Sequence, residues 1–122
     1  MSALLFVAAG LTVLWGAAHL SATRGAVAGF GDISVDNRRI ITMEWIAEGI
    51  ALISTGVFVA VAAATDADSA VSSAVFGVAI ATLVVMAIVS LFTGFKVAFL
   101  PYRLCPLIFG ASAALIAIGA WL

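Results

Sequence analysis

The sequence predicts an all-α integral membrane protein, a four-transmembrane-helix bundle, and three observations carry that expectation. Of 122 residues, 66% are hydrophobic and 9% charged, whereas a soluble domain is about a quarter charged. The apolar residues fall into four runs, each near the length of about 20 helical residues that crosses a bilayer core. Polar connections separate these runs and hold the aspartates and most of the basic residues. A water-facing surface cannot be built from so few charges, so the chain reads as a single domain, 1–122, with helices at about 3–20, 40–64, 70–99 and 104–122.

The first run, Ala3 to Leu20, ends beside His19. No basic segment precedes it and no small-residue cleavage site follows a short apolar core, so it is expected to be a retained helix. Trp15 and His19 lie four positions apart and share a face. Ser21 to Arg39 is the longest polar stretch; Gly25, Gly29 and Gly31 argue against a continuous helix there, leaving room for a short surface segment over Ala26 to Phe30. Asp36 is the expected N-cap of the next helix, its carboxylate accepting from orphan backbone N–H groups.

Ile40 to Ala64 is the run that organises the chain. Its only charges are Glu44 and Glu48, which at a spacing of four lie one above the other on one side of a helix. A charge inside a bilayer costs at least ~2.5 kcal/mol on insertion scales unless a partner, water or a proton answers it. An acidic turn, Thr65 to Ser69, leads to the third run, which is free of charge from Ala70 to Thr93 and loosened by Gly94. Pro101 to Pro106 reads as the last turn, with Pro101 disfavouring helix at Leu100 and Pro106 suited to a first helical turn. The fourth run ends at Trp121, an interfacial anchor by composition. Gly49 and Gly56 on the second helix, and Gly110 and Gly119 on the fourth, are expected to let backbones approach closely.

The basic residues orient the bundle. Arg24, Arg38 and Arg39 fall in the first connection and Lys96 and Arg103 in or beside the third, while Asp66 and Asp68 fall in the second. The positive-inside rule then puts the first and third connections in the cytoplasm and both termini outside, in a multi-pass protein of the plasma (inner) membrane.

With that topology, His19, Glu44, Glu48, Lys96, Arg103 and Cys105 gather in the cytoplasmic half. Three readings compete for them. The acids can pair with His19, Lys96 or Arg103 as an internal staple, which interhelical polar contacts reward by only about 0.6 kcal/mol each. Two carboxylates a few ångströms apart in low dielectric cannot both ionise easily, so Glu44, Glu48 and His19 can form a catalytic or carrier-type proton relay. Or the cluster is the polar end of a ligand pocket for a quinone or lipid, with Trp15, Trp45, Lys96 and Arg103 as ligand-binding candidates. Bland roles stand beside these: Trp45 as interfacial anchor, Lys96 and Arg103 as snorkelling residues, Cys105 as an inert thiol.

Several classes are disfavoured. There is no basic patch for nucleic acid. A lone cysteine excludes an intrachain disulfide and a cysteine-type metal centre, and no metal site is expected. One histidine with Met43 or Met86 is thin support for haem.

Glu48-Gly49-Ile50-Ala51-Leu52, with Gly56 further on, resembles the acid-then-glycine helix of DoxX-like proteins. These are small four-helix membrane proteins, some linked to quinone-coupled redox chemistry. The resemblance is one of outline and implies the four-span layout.

The leading expectation is therefore a cytoplasm-facing intramembrane pocket of Glu44, Glu48 and His19 that binds a hydrophobic or quinone-like small molecule, as a small subunit of a membrane redox system. The alternatives are a proton-coupled carrier or membrane enzyme using the same groups, and a structural accessory subunit of a larger complex. So short a bundle has little interior of its own, so lipid is expected as its neighbour, with further copies or partner chains beside it.

Overall fold

The computed structural model describes residues 2–122. Five α-helices follow one another: α1 Ser2–Ser21, α2 Thr23–Ala28, α3 Val35–Asp66, α4 Ala70–Phe92 and α5 Leu100–Trp121, with a 3-10 turn at Gly94–Lys96 between α4 and α5. Four segments are long and apolar enough to cross a membrane: Ala3–Ser21, Val35–Asp66, Ala70–Lys96 and Leu100–Trp121. Within each, at most 28% of the residues are buried inside the chain. Phe6, Leu14, Phe58, Val78, Ile88 and Leu107 all face outward, an apolar surface far larger than water-soluble monomers carry.

Helix α1 packs between α3 and α5, and α4 packs on α5; α3 and α4 close the ring with a much sparser contact. The α1–α3 seam is tight because glycines face it. A methyl group at Gly56 would come within 2.6 Å of Val13 and 2.7 Å of the Ala9 carbonyl, and one at Gly16 within 2.9 Å of the Gly49 carbonyl. Without side chains at these positions the two backbones touch, which is how helices gain dispersion contacts where lipid removes the hydrophobic drive. Gly49 and Gly56 thus behave as their spacing suggests. Gly119 is buried, but Gly110 has nothing within 4 Å of where a side chain would start and does not serve a close contact. The core between the helices is Leu5, Leu52, Val59, Phe76, Leu83, Phe109 and Ile116.

Most hydroxyls on the long helices return to their own backbone. Thr12 donates to the Ala8 carbonyl at 2.8 Å, Thr55 to Ala51 at 2.8 Å and Thr93 to Val89 at 2.7 Å. Such bonds leave no donor for lipid to meet. Among the buried hydroxyls of the described residues, Ser112 Oγ is the one without a partner.

The helix ends correct four expectations. α3 begins at Val35, five residues before the apolar run, and its N-cap is Ser34, whose side chain accepts from the Asn37 amide at 3.1 Å. Asp36 sits inside the first turn instead and faces Arg39 at 3.7 Å on the surface. The short segment of the first connection is α2, over Thr23–Ala28, anchored by buried Val27. α4 stops at Phe92, so the chain from Gly94 to Phe99 is a bend and not a continuation. Finally, 101–106 is helix rather than turn: α5 starts at Leu100, Pro101 occupies its first turn and Pro106 lies inside. Pro101 needs no donor there. Pro106 deprives the Tyr102 carbonyl of its usual partner one turn on, and that carbonyl lies against Gly94, where a side chain would stand 3.4 Å away.

Candidate functional site

The end of α1, the start of α3, the end of α4 and the start of α5 meet at one end of the bundle. His19 and Trp45 are joined there twice. His19 Nε2 donates to the Trp45 carbonyl at 2.9 Å and Trp45 Nε1 donates to the His19 carbonyl at 2.8 Å. Their rings stack at 4.0 Å between centroids, 10° from parallel. Tyr102 of α5 meets the indole edge-on at 5.9 Å. A carbonyl only accepts, so Nε2 carries a proton.

Glu48 lies one turn after Trp45 on the open side of this clasp. Its Oε2 is 3.6 Å from His19 Nε2, beyond hydrogen-bond length. The His19 proton is already committed to the Trp45 carbonyl, so the carboxylate has no hydrogen-bond partner among the described residues. It borders a cavity of about 300 Å³ that lies between α3, α4 and α5. Val85, Met86, Val89 and Ser90 of α4, with Thr93 just after it, form one wall, Tyr102, Cys105 and Phe109 of α5 another, and Trp45, Glu48 and His19 the polar end. A second cavity of about 380 Å³ lies behind the clasp, between α1 and α5, lined by Trp15, Ala18, Phe99 and Leu104. His19, Trp45, Tyr102 and Cys105 are the wall between the two.

The expected site residues divide accordingly. His19, Glu48 and Trp45 come together at the first cavity, and Trp15, half-buried, lines the second. Glu44 does not join them. Both acids are exposed, but Glu44 lines neither cavity. The buried stripe of α3 runs through Gly49, Leu52, Gly56 and Val59; Glu48 flanks it, while Glu44 is one turn further out and rotated by about 40° from Glu48. Lys96 is exposed in the 3-10 turn. Arg103 also points outward, its guanidinium 5.1 Å over the Phe95 ring, a cation–π contact. Both basic residues share the site's end of the bundle, but neither lines a cavity. Among the described residues no three His, Cys, Asp or Glu side chains group as metal ligands.

Tyr102 and Phe109 were not singled out by the sequence, and Met86 was considered only as a haem ligand. The signal for two of them was present: with α5 starting at Leu100, Tyr102, Cys105 and Phe109 fall at helical spacing on one face. Reading 101–106 as a turn hid it.

Chemically, the arrangement offers a carboxylate, a phenol and aromatic faces at the mouth of an otherwise apolar space. Comparison with family models, curated proteins and solved structures finds no match for the chain.

Proposed function

We propose that the chain is a membrane-embedded binding protein for a hydrophobic small molecule, whose polar head meets Glu48 and Tyr102 and whose body lies along Met86, Val89 and Phe109. The observation that carries this reading is the cavity of about 300 Å³ between α3, α4 and α5, apolar along its length and polar at one end. Ligand sites share that composition, with a few convergent polar groups in an apolar wall. The sparse α3–α4 contact supports it as well, because a lipid-soluble molecule then enters sideways from the bilayer without crossing water. All five basic residues flank the site's end and Asp66 and Asp68 the other, so that end is assigned to the cytoplasm.

Mass spectrometry of small molecules retained by the gently solubilised protein tests the reading. A stoichiometric ligand that Glu48→Gln displaces is expected; the same complement in both proteins counts against it.

One observation favours a second reading, a proton-coupled carrier. The 3.6 Å separation of His19 Nε2 and Glu48 Oε2 is short enough for a proton to pass between them after a small side-chain rotation. In proteoliposomes this reading requires a proton flux that Glu48→Gln abolishes, whereas simple binding requires none.

A further inference from the structure

We infer that the ligand of this pocket carries a positively charged head, making it a lipophilic amine or quaternary ammonium compound; this rests on the proposed binding function. The donors and acceptors around the cavity decide the class. His19 Nε2–H is spent on the Trp45 carbonyl and Trp45 Nε1–H on the His19 carbonyl. The Ser90 hydroxyl donates to Ala87 at 3.0 Å, the Thr93 hydroxyl to Val89 at 2.7 Å, and the Cys105 thiol to Pro101 at 3.7 Å. Among the described residues, the Tyr102 hydroxyl is the side-chain donor in the lining that remains. The acceptor side is the reverse: among the described residues neither oxygen of Glu48 accepts a hydrogen bond, the nearest nitrogen being His19 Nε2 at 3.6 Å.

A quinone, the head group expected from the sequence, presents two carbonyls and needs donors. An anionic head needs cations, and Lys96 and Arg103 are turned away. A cation needs an acceptor of opposite charge, and it gains further from aromatic rings within about 6 Å. Glu48 supplies the first, and Trp45, Tyr102 and Phe109 line the same space.

The test uses the full chain in zwitterionic lipid discs, with Trp15→Phe and Trp121→Phe so that Trp45 alone reports. Three probes are titrated: octyltrimethylammonium, octanesulfonate and neutral decylubiquinone. The ammonium is expected to change Trp45 emission at concentrations at least tenfold below the sulfonate. Glu48→Gln is expected to weaken the ammonium at least tenfold, with the quinone response unmoved, while Glu48→Asp, which keeps the charge, stays within a few-fold of the parent. Glu44→Gln, one turn away outside the cavity, is expected to change nothing. Tighter binding of decylubiquinone than of the ammonium, or equal losses from Glu44→Gln and Glu48→Gln, overturns the cation assignment while leaving the pocket in place. No response to any probe overturns the assignment and the proposed function together.

Discussion

His19 and Trp45 hold one another by two reciprocal hydrogen bonds, 2.9 and 2.8 Å, and a ring stack at 4.0 Å. The pair ties the last turn of α1 to α3 and engages the Nε2–H that lies beside Glu48. A carboxylate in an apolar setting has few ways to be satisfied, and here the nearest candidate donor is already engaged elsewhere.

Trp45→Phe removes the indole donor while keeping an aromatic ring. The His19 carbonyl then loses its side-chain partner, and a loss of about 1 kcal/mol is expected, within the range of interhelical polar contacts in membranes. Thermal unfolding in detergent measures it. An unchanged midpoint would mean that the clasp contributes nothing beyond ring packing.

Gly56→Val probes the α1–α3 seam. A side chain there meets the Ala9 carbonyl at 2.7 Å, which is backbone and cannot swing aside. Helix separation and a loss of about 1 to 3 kcal/mol are expected, the usual range for overpacking. Gly110→Val, where there is open space, is expected to leave unfolding within about 0.5 kcal/mol. Equal effects at the two positions would contradict the seam.

Ser112→Ala removes a buried hydroxyl that has no partner among the described residues. Leaving such a group unsatisfied costs about 1 to 3 kcal/mol, so the variant is expected to unfold at a higher temperature than the parent. A lower midpoint would show that the hydroxyl has an acceptor after all.

Sidedness is checked by labelling with a membrane-impermeant maleimide in a Cys105→Ser background. Ser69→Cys, in the turn between α3 and α4, is expected to label from the outside of intact cells, and Ser34→Cys, before α3, only after lysis. The reverse pattern would contradict the cytoplasmic assignment of the site.

The four long helices were legible because apolar run length is a strong signal, and Gly49 and Gly56 were legible because small residues on a long apolar helix have few other uses. Helix ends were less so. Ser34 outcompeted Asp36 as cap because α3 extends through Arg38 and Arg39, polar residues that an apolar count leaves outside the helix. Pro101 and Pro106 read as a turn, yet both fit within the opening turns of α5, the first where no donor is needed and the second with the orphaned Tyr102 carbonyl set against Gly94. At the site, His19, Trp45 and Glu48 could be gathered from topology alone. What separates Glu48 from Glu44 is the angular position of the α1–α3 seam, and a spacing of four does not encode it. The commitment of His19 to the Trp45 carbonyl is likewise a distance, not a pattern.

The most direct test fills the cavity without touching its polar end. Ser90 lines the α4 wall, and Ser90→Trp puts an indole into the space while Glu48, His19 and Tyr102 stay intact. Extracted from cell membranes into native lipid discs and examined by native mass spectrometry, the parent is expected to carry one bound small molecule that is not a bulk phospholipid, and the variant none. A folded variant with the same bound complement as the parent, or a parent that carries nothing, would contradict a ligand-binding pocket at this end of the bundle.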